Sequence, residues 1–258
     1  MLRHRWISYF FIAINFIALL LFLFFHYSIW WFVLTVGLGL GITAWGAFDI
    51  RLGYFTDTFY RRKHSRGKVI ALTFDDGPTH YTEQILDLLQ RYQASATFFC
   101  IGKQVEKFPE LAKRLVHEGH TIGNHTFSHS PWMGFYKADK VLVELQEADS
   151  VIEAVTGKRV KFFRPPYGVT NPSIAKAVKL TRHQVIGWSN RSLDTIIMDE
   201  DKLYNRVVRK LRSGDIVLFH DTSQRTVKVL ERLLPYLQEE GYGLVTVDDL
   251  LTLHAYES

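Results

Sequence analysis

The first fifth of the chain is one apolar block: from Trp6 to Phe48 there is no Asp, Glu, Lys or Arg. Only Asn15, His26, two serines, two threonines and a few glycines interrupt it. As a single helix these 43 positions would run about 64 Å, roughly twice the ~30 Å hydrocarbon core of a bilayer. The pattern therefore predicts two spans, about 6–25 and 29–48, joined by a tight turn at His26-Tyr27-Ser28. Trp30, Trp31 and Trp45 would then sit near the membrane interfaces. A cleaved signal peptide is the rival reading, but its apolar core would be ~7–15 residues long and closed by a small-residue cleavage site. This run continues without one. Gly37 and Gly41 form a G-x-x-x-G, which reads equally as a close helix contact or as glycines tolerated in a membrane helix.

After Lys68 the pattern changes to short β-branched and aromatic runs alternating with longer amphipathic ones, as in parallel strands joined by crossover helices. The expected strands are Val69 to Phe74, Ala96 to Ile101, Thr121 to Gly123, Val160 to Phe163, Gln184 to Gly187, Ile216 to Phe219 and Leu244 to Val247. Between them, Thr82 to Tyr92, Pro109 to Glu118, Ala138 to Val155, Ile174 to Leu180, Asp201 to Leu211 and Val227 to Glu240 carry apolar residues at helical spacing. Gly119, Gly157, Gly214 and Gly241 fall just past the ends of four of these, where left-handed caps are wanted. Seven strands point to an α/β barrel. The resulting division is a membrane anchor over 1–50, a basic juxtamembrane segment over 51–67 and a catalytic domain over 68–254.

Charge changes where that domain is expected to lie. The chain has 258 residues and a formal net charge of +5. Arg3 and Arg5 precede the apolar block, and Arg51, Arg61, Arg62, Lys63, Arg66 and Lys68 follow it. With two spans both flanks lie on one side, and the positive-inside rule places them in the cytoplasm. No stacking aromatics or binding motif accompany the basic run, so it reads as a flank touching anionic lipid rather than a nucleic-acid site. No segment marks an obligate protein partner. Cys100 is the only cysteine, which excludes an intrachain disulfide, and its apolar surroundings mark it as a small buried hydrophobe.

In a barrel of parallel strands, chemistry gathers where the strands end. Asp75-Asp76, His125 with His129, Arg164 to Gly168, Trp188 to Asp194, and His220-Asp221 follow five of the expected strands. His125-Thr-Phe-Ser-His129 is an H-x-x-x-H, and on a helical turn both imidazoles could reach one ion. Two solvent-facing histidines would show the same spacing. A carboxylate would complete a facial set with open positions, suited to Zn²⁺ and also to Co²⁺, Fe²⁺, Mn²⁺ or Ni²⁺. Thr73-Phe-Asp-Asp-Gly-Pro78 could supply it, one Asp binding metal and the other acting as a base, although Asp-Gly-Pro is also an ordinary turn sequence.

Taken together, T-F-D-D-G-P (73–78), H-T-F-S-H (125–129), R-P-P-Y-G (164–168), W-S-N-R-S-L-D-T (188–195) and V-L-F-H-D (217–221) resemble the five ordered motifs of the polysaccharide deacetylases. These are the carbohydrate esterase family 4 enzymes with a NodB-homology domain, and the resemblance runs from about Lys68 to Leu250. It implies a distorted (β/α)₇ barrel, here preceded by the two-helix transmembrane hairpin. It implies that Asp76, His125 and His129 bind a divalent metal, Zn²⁺ before the others, and that Asp75 is the general base. It further implies that Arg164 positions Asp75, that Asp194 holds His220 as the general acid, and that a backbone N–H beside Tyr167 helps hold the oxyanion. Many members carry an acidic residue where this chain has Arg191 and a Trp where it has Thr195, so the charge and shape of the sugar cleft are left open. Trp188 suits either the barrel core or a sugar platform, and His80, Tyr81 and His183 have no assigned role.

The activity so implied is hydrolysis of the N-acetyl amide of an amino sugar in a cell-envelope polysaccharide, peptidoglycan or chitin-like, by a multi-pass protein of the cytoplasmic membrane. That activity needs the domain outside, whereas the basic flanks put it inside. An alternative that respects the flanks is deacylation or deformylation of a lipid-linked amino sugar at the cytoplasmic face. A non-catalytic carbohydrate-binding protein on the same fold is a third, which loss of a ligand, base or acid would signal; none is lost.

Overall fold

The computed structural model describes residues 3–64 and 67–257; Arg66, counted above in the basic flank, lies outside them. The apolar block forms two helices, α1 (His4–Phe25) and α2 (Trp30–Phe48), each long and apolar enough to cross a membrane. The turn forms because His26 takes a left-handed conformation (φ 54°) and caps α1. None of α1 is buried, so the pair is apolar all round without a protein core to hide in. Gly37 and Gly41 face open space, and the close approach is at Gly39, against the Phe11 ring. Asn15 bridges the helices by accepting from Thr35 Oγ1 at 2.8 Å, a polar contact suited to an apolar medium.

The domain begins earlier than the hydropathy pattern shows. After a 3₁₀ turn at Ile50–Leu52, strand β1 (Thr58–Phe59) lies inside the segment expected to be a juxtamembrane flank. Arg61 bridges to Asp215, and the Arg62 N–H donates to the Gly214 carbonyl. There follow β2 (Val69–Asp75), α3 (His80–Arg91), β3 (Ala96–Cys100), α4 (Gly102–Lys107), α5 (Pro109–His117), β4 (Thr121–Asn124) and α6 (Ala138–Thr156). Then come β5 (Phe162–Phe163), α7 (Pro172–Thr181), β6 (Gln184–Ile186), β7 (Asn190–Arg191), α8 (Glu200–Lys210), β8 (Ile216–His220), α9 (Gln224–Glu239), β9 (Gly243–Leu244) and α10 (Val247–Leu251). The expected strand from Leu244 to Val247 is cut short because Thr246 caps α10, accepting from the Asp249 N–H, and acidic Asp248 and Asp249 occupy the first turn.

All the pairings of these strands are parallel, in the order β1-β6-β5-β4-β3-β2-β8-β7, with β9 added beside β2. The run 184–191 pairs with β5 and β1 at its start and with β8 at its end, so the sheet curls back on itself through one bent segment. The bend needs Gly187, where a Cβ would press on Ile50 and Thr58 at 3.1 Å. This is the α/β barrel expected, with two additional short strands, β1 and β7. Helices α3, α5, α8 and α9 cover one side of β2, β3 and β8 around Phe74, Phe98 and Phe219, whose rings stack 4.9 and 6.1 Å apart. The strands' C-terminal ends, Asp75, Cys100, Asn124, Phe163 and His220, share one rim.

The helix pair is fastened to the domain. The His4 N–H donates to the Tyr54 carbonyl at 2.9 Å and the Thr170 N–H to Ala47 at 3.0 Å. Tyr54, 3% exposed, fills the space over Gly46, where any Cβ would collide with its ring.

Candidate active site

Asp75 ends β2, and the chain turns at once through Asp76 with φ 76°, which leaves Asp76 Oδ1 at 3.4 Å and Asp75 Oδ2 at 3.9 Å from His125 Nε2. Asp75 is 3% exposed and accepts from Arg164 Nη1 at 2.7 Å. Arg164 is itself fully buried and spends its other donors on Thr73 Oγ1, the Ile186 carbonyl and the Gly187 carbonyl at 2.8–3.0 Å, with its Cζ 4.0 Å from the centre of the Phe99 ring. Burial lowers the Arg164 pKa, and the facing Asp75 works against that fall.

Asp76 Oδ1 stands 3.4 Å from His125 Nε2 and 3.2 Å from His129 Nε2. The H-x-x-x-H is not on a helical turn: residues 125–129 form a loop, and left-handed Thr126 (φ 67°) and His129 (φ 48°) bend it until both rings reach Asp76. The helical expectation fails because Asn124 Oδ1 and the Glu144 carboxylate bind the loop's N–H groups at Thr126 and Ser128, replacing helical bonds. His125 Nδ1 donates to the Arg164 carbonyl at 2.7 Å, leaving the Nε2 lone pair toward Asp76.

These three residues form the metal-compatible group among the described residues. Ligand atoms ~2.0–2.2 Å from a tetrahedral ion lie about 3.3–3.6 Å apart, close to the separations seen here. Asp76 Oδ1 is buried without a hydrogen-bond partner, which is costly unless a cation completes it. Burial opposes the charged form of Asp76, yet the closeness of His125, His129 and His220 outweighs it and holds the carboxyl at about 2. Burial, then His125, pull the His129 imidazole below its ordinary value, favouring the neutral form a ligand needs. The set fits a divalent cation.

Across the cavity, His220 Nδ1 donates to Asp194 Oδ1 at 2.8 Å, and the His220 N–H to Oδ2 at 2.7 Å. Burial would lower the His220 pKa, but this bond and the Asp194 charge, helped by Asp75 and Asp76, raise it to about 9. Asp194, 1% exposed, is fixed from behind by Ser192 Oγ and Thr226 Oγ1, while Arg225 holds its carbonyl. Tyr167 (φ 60°) stands half exposed with its ring 5.0 Å from His129. Asp75, Asp76, His125, His129, Tyr167 and His220 thus line one cavity of about 210 Å³ with Trp188, Arg191 and Thr195. Of nine non-glycine residues with positive φ among those described, Asp76, Thr126, His129, Tyr167 and Leu193 lie on or beside this rim, as strained backbone does at functional sites.

The family model described as polysaccharide deacetylase matches residues 62–186. A peptidoglycan-N-acetylglucosamine deacetylase of Bacillus cereus is 40% identical over 190 residues, 71% of this chain and 88% of its own length. The chain belongs to the polysaccharide deacetylase family. Another member, the peptidoglycan-N-acetylmuramic acid deacetylase PdaA of Bacillus subtilis, is 33% identical over 200 residues, 76% of this chain and 75% of its own. The solved structure of the peptidoglycan deacetylase PdaC from Bacillus subtilis superposes with a TM-score of 0.68 at 34% identity, covering 72% of this chain and 90% of that one. As in the family's structures, the fold is an α/β barrel of parallel strands.

Three supporting residues of this family member had no assigned role in the sequence. Glu144 of α6, 8% exposed, accepts from Ser128 N–H and Oγ and so steadies the His125–His129 loop. Its position between Val141 and Ala148 on a buried stripe was the available signal. Asp221, fully buried, accepts from Thr82 Oγ1, and burial pushes its carboxyl up to about 7. Its carboxylate occupies the space where a Cβ on Gly77 would stand, so Gly77 serves packing as well as the turn. Thr226 backs Asp194 from 32 residues away, a separation no local pattern carries.

Proposed function

We propose that this chain hydrolyses the N-acetyl amide of an amino sugar in cell-wall peptidoglycan, releasing acetate, with a divalent metal held by Asp76, His125 and His129. The observation that carries the reading is the convergence of that ligand set, the Arg164-bound Asp75 and the Asp194-bound His220 on one 210 Å³ cavity. An ion in this set would polarise the acetamide carbonyl and acidify the attacking water. Asp75, aimed by its bond from Arg164, takes the proton from that water. The backbone N–H beside Tyr167 stabilises the developing oxyanion. His220, on the other wall, gives its proton to the departing nitrogen, because an amine leaves poorly unless protonated. Asp194 keeps the imidazole charged and oriented for that step.

The direction of the His220 shift sets the pH dependence. The acid is competent below its pKa and is lost as pH rises through it, so acetate release falls on a basic limb at or below about 9, the bound ion offsetting part of the Asp75 and Asp76 contribution. Asp194→Asn removes the main raising cause. The limb is expected to move down toward the ordinary imidazole value of 6.5, read from kcat/KM against pH. An unchanged limb would show that Asp194 does not hold the acid.

We further propose that α1 and α2 anchor the domain to the cytoplasmic membrane, supported by their length, apolar composition and lack of burial. The peptidoglycan reading needs the domain outside. The basic residues around the helices favour a second reading, deacylation of a lipid-linked amino sugar at the cytoplasmic face. A pair of reporters fused after Ser258 separates them: activity only of the export-dependent reporter is expected, and activity only of the cytoplasmic reporter would move the substrate to the lipid-linked class.

A further inference from the structure

A cavity larger than the catalytic one lies elsewhere among the described residues. About 820 Å³ in volume, it opens at the seam where the start of α1 meets β1, α7 and the turn before β6. Arg3 and Arg5 from the helix pair and Lys179 and Arg182 from the domain line it, against a single carboxylate, Asp57. That carboxylate is taken by Arg3 at 3.3 Å. Arg5, Lys179 and Arg182 have no acidic partner among the described residues, and cations gathered on one concavity repel until an anion joins them.

Two further observations narrow the anion. Arg3, Arg5 and Trp6 belong to the start of α1, so with α1 as a span the cavity lies at headgroup depth, and Trp6, 68% exposed, stands where interfacial tryptophans do. The rest of the lining mixes polar side chains, His183 and Gln184 among them, with an apolar side of Phe55, Phe59 and Val178, and Leu180 lies exposed beside Lys179 on α7. Phosphate alone would use only the cations. A molecule with an anionic head and acyl chains uses both walls.

We propose that this seam binds one anionic glycerophospholipid, its phosphate among Arg5, Lys179 and Arg182 and its acyl chains along α1. The lipid would act as a wedge that fixes the domain at a set height over the membrane. The proposal rests on the helix pair staying attached, and lipid binding by the full chain in detergent is read separately from the topology reporters and from acetate release.

The experiment is native mass spectrometry of the full-length chain titrated with phosphatidylglycerol or phosphatidylcholine. The wild type is expected to retain one phosphatidylglycerol in preference to phosphatidylcholine. Lys179→Ala/Arg182→Ala is expected to weaken that binding roughly 30-fold while leaving acetate release unchanged, which shows that the variant is folded. Lys202→Ala/Lys210→Ala, a pair on α8 away from the cavity, should bind as the wild type. Equal retention of the two lipids, or equal loss in both variant pairs, would overturn the proposal. So would displacement of the lipid by glycerol phosphate at comparable concentration, which would make the seam a site for free anions.

Discussion

Asp75→Asn is expected to slow acetate release from N-acetylated oligosaccharide by about 10²- to 10⁴-fold while leaving metal content and folding intact. The amide keeps the size of the carboxylate and can still face Arg164, but it has no basic oxygen to take a proton. Asp75 is not among the three ligand residues, so one equivalent of metal should remain bound. The check is parallel measurement of turnover and metal content on the purified chain. Wild-type turnover in Asp75→Asn would remove Asp75 from the reaction and leave the base to be found elsewhere on the rim.

Arg164→Met should damage stability and turnover together. The guanidinium is fully buried and donates to Asp75, Thr73, Ile186 and Gly187. Removing it leaves a buried carboxylate without its partner and two carbonyls without donors, a loss of about 3–5 kcal/mol. Its backbone carbonyl remains to orient His125, so metal binding should suffer less than stability. Denaturant unfolding of Arg164→Met against the wild type reads the first effect. A midpoint equal to that of the wild type would mean the buried pair is not holding the barrel mouth.

The sequence was most legible where chemistry and local pattern coincide. The apolar block with one polar break foretold both helices and their turn, because hydropathy alone decides that structure. The five motifs foretold the rim, because parallel strands bring their C-terminal ends together whatever their exact lengths. The errors occur where a long-range partner overrides a local preference. His125 to His129 has helical spacing, but Asn124 and Glu144 bind its N–H groups and hold it as a loop. Leu244 to Val247 has strand composition, but the strand stops at Leu244 and the Thr246 cap starts α10 at Val247. The segment 51–67 reads as a basic flank because its cations dominate the composition, yet Thr58 and Phe59 complete the sheet beside β6. Glu144, Thr226 and the depth of Asp221 were hidden for the same reason, since their partners lie on other elements.

The central claim is that Asp76, His125 and His129 hold one divalent ion beside a separate base. Calorimetric titration of the metal-stripped chain with Zn²⁺ tests it most directly, comparing the wild type with His125→Ala and Asp75→Asn. One equivalent bound by the wild type and by Asp75→Asn, with binding lost in His125→Ala, is the predicted result; stoichiometric binding of unchanged affinity in His125→Ala would contradict it.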